Sequence, residues 1–142
     1  MKVLIVDDSL VVKDRLIEML SAITGVEIVG NAANSIDALY LVNKLKPDAV
    51  TMDIRIPGES GIEVLKKIKS SHPSIIVMVL TNFPIDQYKS KCYELGGDYF
   101  FSKSDEFEKV EEVIYKLAGN NGRSLFNRFI NSFALKHKLR TS

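Results

Sequence analysis

A second cysteine, an apolar run long enough to cross a bilayer and any acid beyond Ala118 are all missing from this 142-residue chain. The lone Cys92 excludes an intramolecular disulfide framework and suits a reducing compartment. The apolar stretches are four to six residues long, far below the roughly 18 that span a membrane. Val3 to Val6 is also too short for the apolar core of a signal peptide and runs straight into acids. These absences point to a cytoplasmic protein. The length suits one domain with a sizeable core, and 46% hydrophobic with 26% charged residues is ordinary for a globular chain.

A formal net charge of +1 conceals an uneven distribution. The missing acids leave Arg123, Arg128, Lys136, Lys138 and Arg140 unbalanced in residues 119–142. Setting those five aside leaves 14 basic residues against 18 acidic ones, so residues 1–118 carry about −4. The reading is a body over 1–118 and a basic amphipathic tail over 119–142.

Apolar runs begin near positions 3, 26, 49, 75 and 99 and are rich in Val, Ile or aromatics, as buried parallel strands are. Segments of helical spacing separate them. Val12, Leu16, Met19, Leu20 and Ile23 share one face, and Asn34 caps a helix carrying Ala38, Leu41, Val42 and Leu45. Ser60 or Gly61 opens a helix with Ile62, Leu65 and Ile68 inward. Pro84 is placed in a first helical turn followed by Ile85, Tyr88, Cys92 and Leu95. Gly96-Gly97 closes that helix, and Ser104 is placed as the cap of the last one. The order is βα repeated five times, which right-handed crossovers turn into a parallel sheet with helices on both faces. A closed eight-fold barrel needs about 250 residues, leaving an open doubly wound sheet.

In such sheets ligands bind beyond the carboxyl ends of the strands. There the first run ends in Asp7-Asp8, the third in Asp53, the fourth in Thr81 and the fifth in Ser102-Lys103. Singly, each residue reads as a turn or a helix cap; their convergence does not. Crowded carboxylates repel unless a cation intervenes, and Mg²⁺ suits a site of few carboxylates and several waters. Lys103 and the metal balance a phosphoryl group, Thr81 donates a hydrogen bond to it, and Asp53 is the candidate nucleophile.

With Asp7-Asp8, Asp53 before Ile-Arg-Ile-Pro-Gly, Gly61 four residues after Pro57, Thr81, Phe100 and Lys103, residues 1–118 resemble a response-regulator receiver domain of two-component signalling. The likeness is to the single-domain, chemotaxis-regulator type. It implies a flavodoxin-like strand order 2-1-3-4-5, with the tail as an extra C-terminal helix. It also implies a phosphoprotein of the phosphorelay class rather than an enzyme. Asp53 accepts the phosphoryl group from a histidine kinase or histidine phosphotransfer protein. Asp8 binds Mg²⁺ directly, Asp7 mainly through water, and Asp53 and the backbone carbonyl of Arg55 complete the set. Lys103 pairs with the phosphate, and Phe100 turns inward as Thr81 moves.

Three positions depart from the family pattern. Asn82 stands where a small residue usually follows the threonine, Gly97 where alanine is usual, and Ser104 where proline is common. Arg55 and Phe83, flanking the pocket, join Asn82 as residues expected to tune the phosphoryl lifetime. In the tail Leu125, Phe126, Phe129, Ile130, Phe133 and Leu139 have near-helical spacing. That suits a sixth helix packed on its own domain or on a symmetry mate; the other readings are disorder or an added end, and a basic amphipathic helix for an acidic partner, a membrane surface or nucleic acid. The expected protein is a stand-alone regulator with no DNA-binding domain, an unknown downstream protein target, and homodimerisation left open. The alternatives are an Asp-nucleophile phosphohydrolase and a non-phosphorylated pseudo-receiver. The former normally carries Asp-x-Asp after its first strand, where this chain has adjacent aspartates.

Overall fold

The computed structural model describes residues 1–120, in which strands and helices alternate. They are β1 (Lys2–Val6), α1 (Leu10–Ser21), β2 (Glu27–Ala32), α2 (Ser35–Leu45), β3 (Ala49–Met52), α3 (Gly61–Ser71), β4 (Ile76–Thr81), α4 (Asp86–Glu94), β5 (Tyr99–Ser102) and α5 (Phe107–Leu117). The sheet is five-stranded in the order β2-β1-β3-β4-β5, and every pairing is parallel. The doubly wound sheet expected from the sequence is therefore present. The tail from residue 121, with its expected helix, lies outside the described residues.

Side-chain alternation along the strands divides the interior into two cores. Leu4, Val6, Val50, Met52, Val77 and Val79 pack with residues of α2, α3 and α4. Val3, Ile5, Ala49, Met78 and Leu80 pack with Leu16 and Leu20 of α1 and Phe107, Val110 and Ile114 of α5. Burial on both faces explains why β1, β3 and β4 read as near-continuous apolar runs. Cys92 joins the first core, and burial pushes its thiol up to about 11, in keeping with a packing role.

The helix caps follow the sequence in two places: the Asn34 side chain accepts the Asp37 N–H and the Ser60 hydroxyl the Glu63 N–H. At α1 the Ser9 hydroxyl accepts the Val12 N–H, a cap the sequence reading did not assign. Two other helix starts were misplaced. α4 begins at Asp86 with Ile85 as its cap, so Pro84 precedes the helix and Ile85 is 45% exposed rather than inward. α5 begins at Phe107 with Glu106 as its cap, because residues 102–106 form a turn of their own. In that turn the Glu106 N–H donates to the Ser102 carbonyl at 2.9 Å, and the Ser104 hydroxyl lies 3.1 Å from that of Ser102. Gly96 alone supplies the left-handed step after α4 (φ +97°), while Gly97 donates its N–H to the Cys92 carbonyl at 2.8 Å.

Thr51 sits in register between Ile5 and Met78, is fully buried, and its hydroxyl has no hydrogen-bond partner among the described residues. An unpaired buried hydroxyl costs roughly 1–3 kcal/mol. Thr51→Val keeps the shape and removes the orphan, so it should raise stability by about 1 kcal/mol. The midpoint of chemical denaturation checks this; an unchanged or lower midpoint contradicts it.

Candidate functional site

The sheet's carboxyl edge is extended one step past three strands by main-chain hydrogen bonds. The Asp7 N–H donates to the Ala32 carbonyl at 3.0 Å, Asp53 to Val6 at 3.0 Å, and Lys103 to Thr81 at 2.8 Å. The residues singled out from the sequence are thus held by the ladders themselves rather than by free loops. Strand alternation then turns Asp7 and Asp53 to the same side.

There the Lys103 ammonium bridges two carboxylates, 2.6 Å from Asp7 Oδ2 and 2.9 Å from Asp53 Oδ2. All three side chains are at most 8% exposed. Asp7 Oδ1 also accepts the Ser9 N–H at 2.8 Å, which ties the acidic pair to the start of α1. Asp8 is exposed. Burial pushes the Asp53 carboxyl above the usual carboxylate range, and Asp7 adds to the rise while Lys103 opposes it. For Lys103, burial works against the charge, but the hydrogen bonds and charges of Asp7 and Asp53 outweigh it and raise the pKa. Asp7, Asp8 and Asp53 each offer an oxygen, all within 4.8 Å of one another. Three carboxylates against one ammonium leave the cluster two charges negative. That donor set, hard and anionic with one member open to solvent, suits a divalent cation that keeps some of its waters.

The β3–α3 loop gives the site its second wall. The Gly61 N–H donates to the Ile54 carbonyl at 2.7 Å, and a Cβ at Gly61 would lie 2.0 Å from the Asp53 carbonyl oxygen. Glycine is therefore required where α3 starts against the strand. From α2, the Ser35 N–H donates to the Pro57 carbonyl at 3.0 Å, and the Ser35 hydroxyl accepts the Glu59 N–H at 2.8 Å.

Thr81 is fully buried at the end of β4, and its hydroxyl accepts the Phe83 N–H at 3.0 Å. Asn82 is exposed. Arg55 does not reach over the carboxylates. Its guanidinium stacks on the Phe83 ring at 3.7 Å, joining the β3–α3 loop to the β4–α4 loop. Phe100 faces inward at 5% exposure, paired in register with Val79 and packed in the α2/α3/α4 core. The structure thus gathers Asp7, Asp8, Asp53 and Lys103 into one cluster, with Thr81 at the neighbouring strand end. Sequence reasoning missed Ser35, which reads locally as the residue after a cap. It also missed how Ser102 organises the turn behind Lys103: its hydroxyl meets Ser104, and its N–H donates to Glu106 Oε1 at 3.2 Å.

A family model for the response regulator receiver domain matches residues 3–115. The chain belongs to that family. The response regulator GacA of Pseudomonas aeruginosa is 35% identical over 113 residues, covering 80% of this chain and 53% of the relative. The transcriptional regulatory protein BtsR of Salmonella typhi is 35% identical over 116 residues, covering 82% of this chain and 47% of its own length. The crystal structure of the response regulator domain of Thermotoga maritima CheB superposes with a TM-score of 0.75 at 26% identity, over 85% of this chain and 98% of that one. The chain spans about half the length of these curated relatives.

The close approach at Gly61 predicts that Gly61→Ala displaces the loop that follows Asp53. It should cost at least about 2 kcal/mol, as overpacking against backbone does. Thermal denaturation measures the loss, and a wild-type melting temperature would refute the required contact.

Proposed function

We propose that this receiver accepts a phosphoryl group on Asp53 from a phosphohistidine of a kinase or phosphotransfer protein, and signals by altering a protein-contact surface. The observation that carries the reading is the Lys103 ammonium fixed on both Asp53 and Asp7 at the sheet edge. A nucleophilic carboxylate, a charge-balancing cation and a divalent-metal donor set within one small cluster are what phosphoryl transfer needs, since positioning and electrostatics dominate that reaction.

In the transfer an Asp53 carboxylate oxygen forms the new O–P bond as the N–P bond to the donor imidazole breaks. Lys103, already within hydrogen-bond reach, pairs with the incoming phosphoryl oxygens. Asp7 and Asp8, with Asp53 and the Arg55 carbonyl, are the groups proposed to hold Mg²⁺. When bound, that ion neutralises charge on the phosphoryl oxygens and the carboxylates. The Thr81 hydroxyl accepts from Phe83 and so keeps its own proton for donation to the phosphoryl group. A shift of Thr81 toward the phosphate repacks the β4–α4 loop and the ground around Phe100. The affected surface is that of α4, β5 and α5, and the change is a shift between two populated states. We read the protein as cytoplasmic; among the described residues no helix is long and apolar enough to cross a membrane. The curated relatives are longer regulators, so its reading as a stand-alone regulator draws no support from them.

Incubation with Mg²⁺ and acetyl phosphate, followed by intact-mass measurement, should give a single adduct of about +80 Da, one phosphoryl group, that is absent in Asp53→Ala. An adduct that survives in Asp53→Ala would refute the assignment. Sustained turnover of diverse phosphoesters would favour the phosphohydrolase instead.

Arg55 and Phe83 make one stacked unit rather than two separate screens, and an exposed cation–π contact is worth about 0.5–1 kcal/mol. Decay of the phosphoryl group should therefore quicken about two- to fivefold in the Arg55→Ala, Phe83→Ala double variant, with either single change giving most of that effect. Equal or slower decay in the double variant counts against the tuning role, and additive singles count against the stack.

A further inference from the structure

We infer that Ser35 is a positioning residue for the metal subsite, acting through the β3–α3 loop; the inference rests on the Mg²⁺ reading of the Asp7, Asp8 and Asp53 cluster. Ser35 is the first residue of α2 and is 2% exposed, although its side chain is polar. It grips the loop at two points: its N–H donates to the Pro57 carbonyl at 3.0 Å, and its hydroxyl accepts the Glu59 N–H at 2.8 Å. Between those points Gly58 passes in the left-handed region (φ +92°), and a Cβ there would lie 2.2 Å from Ser35 Oγ. The loop and the α2 terminus are therefore fitted to each other, with no room between them for a side chain at 58.

The same loop starts from Asp53 and carries the Arg55 carbonyl. At its near end it is pinned by the Gly61-to-Ile54 hydrogen bond, which is internal to the segment. Ser35 supplies the hydrogen-bonded tie from another element, beside the side-chain stack of Arg55 on Phe83, and so fixes where residues 55–57 stand relative to Asp7 and Asp8 after β1. A carboxylate moves its ligand oxygens by rotating a side chain, whereas a main-chain carbonyl moves only with its loop. Mg²⁺ demands near-ideal octahedral geometry, so a ligand on an untied loop lowers affinity.

The test is calorimetric titration of the full chain with MgCl₂, alongside the Mg²⁺ dependence of phosphorylation by acetyl phosphate. Ser35→Ala should raise the Mg²⁺ dissociation constant about fivefold, the equivalent of one ordinary hydrogen bond. The half-saturating Mg²⁺ concentration should rise in step, while the phosphorylation rate at saturating Mg²⁺ stays near wild type. Exchange of the Glu59 amide proton should quicken. Ser35→Gly, which adds no bulk, carries the same expectation. Asn34→Ala is the control: it removes the α2 cap without touching the loop and should leave Mg²⁺ affinity unchanged. Wild-type affinity in both Ser35 variants, or an equal loss in Asn34→Ala, overturns the inference. A wild-type protein that binds no Mg²⁺ overturns instead the metal reading on which it rests.

Discussion

One ammonium held between two buried carboxylates constrains everything else at the working end of this protein. Lys103 follows β5, Asp53 follows β3, and β4 lies between them in the sheet. Two inter-strand steps are about 10 Å. A short side chain after β5 falls short of Asp53, whereas the four-carbon stem of a lysine crosses β4 and delivers its charge there. The bridge therefore needs the strand order, the parallel register that brings three strand ends level, and the turn at 102–106 that aims the lysine. Losing any of these separates the charges in a place where leaving one unpaired is costly.

The bridge also leaves a deliberate shortfall. Lys103 satisfies one oxygen of Asp7 and one of Asp53, while Asp8 stays in solvent and the cluster remains two charges negative. Burial is the largest influence on Asp53 and raises its pKa, against the opposing pull of Lys103, so the carboxylate proposed to react is incompletely compensated in its ionised state. A carboxylate in that condition gains from a nearby cation, although Lys103 and the Ile54 main chain both hydrogen-bond it. Asp7 differs, with one oxygen on Lys103 and the other on the Ser9 N–H. Two aspartates at similar strand ends thus acquire unequal chemistry from their surroundings alone.

What the sequence could reveal was whatever depends on periodicity and on strand ends. Val3 to Val6, Ala49 to Met52 (Thr51 apart) and Ile76 to Leu80 are apolar because both faces are covered, and the polar residue after each marks the edge that carries the Asp7, Asp53 and Thr81 side chains. The starts of α4 and α5 were illegible for a physical reason. Pro84 and Ser104 carry strong local preferences, but the backbone there answers to longer-range demands: the Thr81 hydroxyl taking the Phe83 N–H, and the Ser102 turn orienting Lys103. The Arg55–Phe83 stack was beyond reach for a similar reason. It joins two loops that only the sheet brings together, and the arginine's charge suggested the phosphate rather than the ring. Thr51 was unreadable in the opposite sense, since one hydroxyl inside an apolar run leaves no mark on the pattern.

The two loops flanking the pocket are fastened very unequally, and that asymmetry bears on how a chemical event at Asp53 can spread. The β3–α3 loop is pinned by Ser35 at Pro57 and Glu59 and by the Gly61 bond to Ile54. The β4–α4 loop is tied by the Thr81 hydroxyl to Phe83, by the Ile85 N–H to the Phe83 carbonyl, and by the stack with an exposed arginine, with no hydrogen bond from a neighbouring helix among these. The helix that follows it, α4, lacks a side-chain cap and fully buries only Cys92, whereas α5, also uncapped, buries Phe107, Val110 and Ile114. Segments with few buried contacts open at the lowest free-energy cost. The proposed charge change at the sheet edge would therefore meet more resistance on the α3 side than on the α4 side. The fold gives direction to the response by anchoring one wall of the site more firmly than the other.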